Sequence, residues 1–326
     1  MNTAKKLMTL LLALLALTAC HDSKDEPPGQ QDYDILMTTH GSPMNGDLIY
    51  NIQGDTVYEG EPWWAIPLIE SEGKDWYAAI IRDDENNHRC YTIIKNGGSA
   101  IFSTYDNVSS MQIDHGDIYL MQSNEQHPNQ IWITKNSRVI YTVEGDDVFV
   151  PAWMRVKDGD VVLTGPARSS RACYWKNGKL IDIPGVEGPM ELGCCVACEG
   201  NDELIGFSMD KNGHAGYVLN GERHDLDLNR VHHVEFINGK PVIVGQKFVK
   251  GVGHVAVTVI DGDEHVLSTH NGSYVKKMEK RGNSAFYYVS FGNSMYVSEI
   301  YKDLMPLDIP DKVSQKGIID VTFLER

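Results

Sequence analysis

Positive charge is scarce in this chain of 326 residues: 29 Lys and Arg stand against 45 Asp and Glu, for a net charge of −16. That shortage excludes a nucleic-acid partner, because a phosphate backbone is held by clustered cations. It also argues against docking on anionic lipid. No apolar run reaches membrane-spanning length, roughly 20 residues; Leu7 to Leu17 offers eleven. Helical periodicity is missing after residue 20, and so are a Gly-x-Ser-x-Gly elbow and a phosphate-cradling glycine loop. Cysteine is sparse. With Cys20 set aside, Cys90, Cys173, Cys194, Cys195 and Cys198 are odd in number and cannot all pair. Cys194 and Cys198 would lie about 13 Å apart along a strand. No further Cys or His follows at zinc-ligand spacing, so these read as buried free thiols.

What is present begins at the N-terminus. Lys5 and Lys6 precede the apolar stretch, and Leu17-Thr18-Ala19-Cys20 closes it. The arrangement resembles the signal segment and lipobox of bacterial lipoproteins, in which the cut falls before a cysteine whose thiol takes a diacylglyceryl group. The resemblance implies a signal peptide over 1–19, lipidation of Cys20 with palmitate-type chains, and a lipidated tether over 20–32. Each buried methylene adds about 0.8 kcal/mol, so several chains on one residue anchor a protein without a transmembrane helix. His21 to Gln31 is polar and carries prolines, as a flexible tether does. Ser23-Lys24-Asp25-Glu26 is similar to the acidic tags that export some Gram-negative lipoproteins. The expected location is the outer membrane, by lipid anchor, facing the periplasm or the cell surface.

The rest of the chain repeats. RACYWKNGKLIDI, residues 171 to 183, reads as strand, Asn-Gly turn, strand. Both turn residues of such a hairpin take positive φ, which Asn and Gly tolerate. Gln53, Asn96, Asn136, Asn177, Asn220, Asp261 and Asp303 mark equivalent turns at spacings of 40 to 43 residues. A period near 42 with four short strands each is the signature of a propeller blade. The first period lacks an inner strand, and a spare strand, Ile318 to Phe323, follows the last. The expected fold over 33–326 is therefore an all-β, seven-bladed β-propeller closed by the C-terminal strand. Six blades is the alternative if the first or seventh period is misread. Two β-sandwiches would show a break in the period near the middle, and none is seen.

Tyr174-Trp175-Lys176-Asn177-Gly178, with Tyr91, Trp132 and Tyr217 in related places, resembles the hairpins of uncharacterised lipobox-bearing β-propeller proteins of Gram-negative bacteria. No Trp-Asp dipeptide of WD repeats occurs, and Gly97-Gly98 alone offers the double glycine of kelch repeats.

In a propeller, the loops from second to third strand and from fourth to the next first strand gather on one face around a central channel. Sites are sought there. The candidate binding residues are Trp64, Asp114, Trp153, Arg155, Glu191 and His232 at the inner strands: indole rings to stack on sugars, Arg155 and Asp114 to hydrogen-bond them. The rival reading of each tryptophan is blade-to-blade core. Seven histidines from His214 to His270 match no ligand motif and read as scattered surface and strand residues. Asp83-Asp84-Glu85 and Asp146-Asp147 are acid pairs, but glycosidases need two carboxyls about 5 Å or about 6.5–9.5 Å apart, and charge runs in loops are ordinarily solvated. The function expected is a membrane-anchored, non-catalytic propeller that binds a glycan or an envelope protein. It is expected to be monomeric, with no cofactor or metal. The alternative is a polysaccharide-acting hydrolase or lyase.

Overall fold

A strand buried on both faces needs no polar alternation, and the second strands of this protein are built that way. In Asp117–Asn124, Ile118 and Leu120 pack with Tyr77 and Ala79 of the preceding sheet. Tyr119 and Met121, between them, pack with Leu163 and Tyr174 of the following sheet. Successive side chains thus serve opposite neighbours. Ile243 likewise joins one core cluster and Val242 and Val244 the next. Continued around, the pattern wraps the chain into a ring of seven four-stranded antiparallel sheets. The computed structural model describes residues 33–41, 46–86, 88–144, 149–167, 171–190, 193–291 and 294–325. Within them Asp34 to Glu325 form one compact unit. The signal segment, Cys20 and the whole tether lie outside the described residues, as do Glu191 and Asp146-Asp147.

Blades two to seven start on the inner strands Ala65–Glu72, Asn107–Asp114, Trp153–Lys157, Cys194–Glu199, Arg230–Ile237 and Ser273–Arg281. Blade one takes its inner strand from the far end of the chain: Ile318–Glu325 lies beside Tyr33–Thr39. The seven-bladed reading, with closure by the C-terminal strand, is what the fold shows. The Asp320 N–H donates to Thr38 Oγ1 at 3.0 Å, and the Tyr288 hydroxyl of blade seven donates to the Ile318 carbonyl at 2.7 Å. Fully buried Phe323 packs on Phe286 with ring centroids 4.6 Å apart. A one-turn helix, Asp311–Ser314, precedes the closing strand.

The hairpins between third and fourth strands share a fastening. Asn96, Asn136, Asn177 and Asn220 sit at φ between 46° and 51°. Each accepts a backbone N–H of its second strand on Oδ1, from Trp76, Ile118, Val161 and Glu203, at 2.8–2.9 Å. Each donates from Nδ2 to the aspartate opening that strand, Asp75, Asp117, Asp160 or Asp202, at 2.7–2.8 Å. In three blades the preceding lysine pairs with the same aspartate: Lys95, Lys135 and Lys176.

The second and third strands of blade six are long: Lys240–Val249 pairs with Gly253–Ile260 through Val249 and Gly253. Gly251 at φ 86° makes the tight turn between them, and Phe248 meets His254 edge-on at 5.4 Å.

Candidate functional site

The inner strands enclose a channel of about 700 Å³, inside the ~300–1,000 Å³ range of small-molecule sites. Much of its wall is charged, and the charges are spent on one another. Lys277 of blade seven reaches past the closing strand. Its Nζ lies 3.1 Å from Glu70, 3.2 Å from Glu279 and 3.9 Å from Asp320. Arg281 pairs with Glu279 at 2.6 Å and donates to Ser71 Oγ at 2.7 Å. Arg155 of blade four reaches past blade five to the Glu235 carboxylate of blade six and donates to the Val196 and Val234 carbonyls. Lys280 spans to Glu199 of blade five at 2.5 Å. Lys277–Glu70, Arg155–Glu235 and Lys280–Glu199 tie together blades that are not sequence neighbours.

Burial sets the titration of this cluster. It raises the Glu70 carboxyl to about 7, against the pull of Lys277 and with the repulsion of Glu279 and Asp320. Burial raises Asp320 as well, again opposed by Lys277. Although burial works against its charge, Asp320, Glu70 and Glu279 hold the Lys277 ammonium above its usual range.

At one end of the channel, where the inner strands of blades four, six and seven begin, lies a recess of about 360 Å³. Trp153 borders both it and the channel and is 49% exposed. His232 stacks on Tyr274 with ring centroids 5.8 Å apart. Burial, with His233 and Arg230 beside it, pushes His232 down to about 3, so its ring is neutral. Burial likewise lowers His233 to about 4. Arg230 and Lys276 complete the rim.

The six candidate residues divide. Trp153, Arg155 and His232 line the channel. Arg155 is committed to Glu235 and two carbonyls, not left open to a ligand. Trp64 and Asp114 belong elsewhere, which corrects the sequence reading. Trp64 packs at the edge of the core between blades one and two, with the Arg82 guanidinium 5.5 Å over its ring. Its neighbour Trp63, at φ 69°, is the exposed one, at 77%. Asp114 ends its inner strand, so it sits at the first-to-second-strand hairpins, at the opposite end from Trp153. There it accepts the backbone N–H groups of Asp158 and Gly159 at 3.1 and 2.8 Å. Asp114, His115 and Asp158 are close enough together to hold a metal ion, but the Asp114 oxygens already serve those amides. Glu191 lies outside the described residues.

Sequence reasoning missed Glu70, Lys277, Glu279, Arg281 and Asp320. A signal existed: Lys277, Glu279 and Arg281 recur with period two on an inner strand, and charges at that period must meet partners across the channel. None of the five cysteines forms a disulfide; Cys90, Cys173 and Cys194 are buried as expected, while Cys195 and Cys198 are half-buried. Burial pushes the Cys195 thiol up to about 12 and raises Cys194 and Cys198, the reverse of what a reactive thiolate needs.

No family model and no curated protein matches the sequence. Solved structures do match. The β-propeller domain of the Trilobed protease from Pyrococcus furiosus aligns with TM-score 0.50 at 13% identity, over 85% of this chain and 92% of that one. Pyrococcus horikoshii acylaminoacyl peptidase aligns with TM-score 0.52 at 13% identity, over 86% of this chain and 51% of that one. Identity this low shows the fold alone: the chain is similar in fold to β-propellers of peptidases.

Proposed function

We propose that this chain is a membrane-anchored, non-catalytic β-propeller that binds a glycan or an envelope protein at the channel mouth. The observation that carries the reading is Trp153, a half-exposed indole at the rim of a recess beside a channel whose acids are already paired. A ring left in solvent adds nothing to the core and offers a flat apolar face to a ligand. The catalytic alternative draws on Glu70, a carboxyl raised to about 7 near two other acids, which is a pattern of acid–base sites. Against it, the Lys277 ammonium occupies the space between those carboxylates, where a sugar would have to enter. The signal segment and Leu17-Thr18-Ala19-Cys20 support the anchor, and the acidic tag after Cys20 supports placement in the outer membrane, on either side.

Two experiments test this. Cells fed labelled palmitate should incorporate it into the protein, and Cys20→Ser should abolish the label and release the chain from the membrane fraction; an unlabelled wild type removes the anchor. A glycan array and an envelope-protein pull-down should yield a ligand whose binding is lost in Trp153→Ala. Blank results in both remove the binding reading.

A further inference from the structure

Most cations of the channel interior are ion-paired: Arg155 with Glu235, Lys277 with three acids, Lys280 with Glu199, Arg281 with Glu279; Lys157, at the far end of its inner strand, donates to the Cys198 carbonyl instead. At the mouth the balance changes. Among the described residues, neither Arg230 nor Lys276 forms an ion pair, and both border the 360 Å³ recess. In a chain of net charge −16, two such cations side by side make a local positive field at an entrance. Lys276 donates to the Ile319 carbonyl and lies 5.8 Å over the Tyr288 ring, which holds the side chain in place without an ion pair. Arg230 carries a planar fork suited to a carboxylate.

One further feature points to a ligand. Trp153 sets an exposed ring against this recess. The His232 ring, stacked on Tyr274, borders it as well.

We propose that the recess between blades four, six and seven binds a negatively charged sugar residue, with its ring on Trp153 and its anionic group on Arg230 and Lys276. This deepens the glycan reading of the propeller and rests on it, and it names the class of glycan. A neutral sugar leaves the two cations unused, and an acidic peptide leaves the indole without a matching group.

Calorimetric titration of the mature chain carrying Cys20→Ser tests it. The probes are an oligogalacturonate, a neutral oligosaccharide of equal length, a sulfated oligosaccharide and an oligoglutamate peptide. At least one acidic saccharide should bind tenfold or more tightly than the neutral one, the scale of one charge-assisted hydrogen bond. Arg230→Gln and Trp153→Ala should each weaken it about tenfold or more, with Arg230→Lys intermediate and affinity falling with salt. The uronate and sulfate arms both support the site and identify the anion. Equal binding of the neutral sugar, or no loss in Arg230→Gln, overturns the anionic site while the glycan reading stands. Binding of oligoglutamate in preference to every saccharide overturns the inference, and silence of all saccharides takes the glycan reading with it. Both side chains lie at the rim, so the variants should keep the wild-type melting transition, which separates lost binding from lost fold.

Discussion

The rim and the channel of this propeller are built on opposite plans. At the rim, one fastening of Asp, Asn and usually Lys recurs at 75/96, 117/136, 160/177 and 202/220, each within one sheet. In the channel no two blades present the same side chains, and the main ion pairs join different sheets. A blade's outer hairpin must satisfy only itself, so one solution serves repeatedly. Around the axis seven inner strands converge, and a charge on one must be answered from another, so each position is individual. The titrations oppose each other in the same way. Rim acids Asp75, Asp117 and Asp160 are held below the usual carboxylate range by hydrogen bonds from Lys95, Lys135 and Lys176 and then from the asparagines. Channel acids Glu70 and Asp320 are pushed above it by burial.

The sharpest test removes one cation from each region. Lys277→Met leaves three carboxylates around a lost charge and should cost about 3–5 kcal/mol, the scale of a broken buried pair. Lys95→Met should leave stability close to wild type, because an exposed pair in high dielectric contributes little. Urea unfolding of both variants measures the gap, and equal losses would erase the distinction.

The second test is pH. A group whose folded pKa is raised contributes stability that is fully present below its unfolded pKa and lost as pH rises through the folded value. Glu70 should therefore cost the protein on the order of 1–3 kcal/mol between about 4.5 and about 7. Glu70→Gln should flatten that part of the stability profile. Rim aspartates act in reverse, losing their small contribution as pH falls below about 3.8. A wild-type profile that rises from pH 4.5 to 7 and ignores Glu70→Gln would show that burial does not govern the channel acids.

Third, Asn177→Ala should cost about 1–2 kcal/mol, from two hydrogen bonds and a positive φ. Asn177→Gly should recover the backbone part only, so the difference between the two reports the side-chain bonds. The smallest effect belongs to Trp153→Ala, under about 0.5 kcal/mol because the ring is half in solvent. Its thermal melt should match wild type while ligand binding disappears.

Legibility followed the same division. The hairpin turns could be read because Asn-Gly reports a local backbone need, and the blade count because that need recurs. Closure could be read from a spare strand at one end and a missing one at the other. Trp153, Arg155 and His232 reach the channel because they stand on the inner strands as the period required. Trp64 was misplaced because one residue decides which of two adjacent tryptophans packs and which is exposed. Asp114 was misplaced because position along an inner strand, start or end, decides which face of the ring a residue serves.

Sequence alone determined the period, the seven sheets and the strand that completes the first, because each depends on patterns a few residues long repeated around the ring. Only the tertiary structure decided what the channel contains. Lys277 and Glu70 are 207 positions apart, and nothing local to either one specifies the other. Their pairing, the titration it imposes and the two cations without an ion pair at the mouth exist only because the ring brings distant inner strands onto one axis.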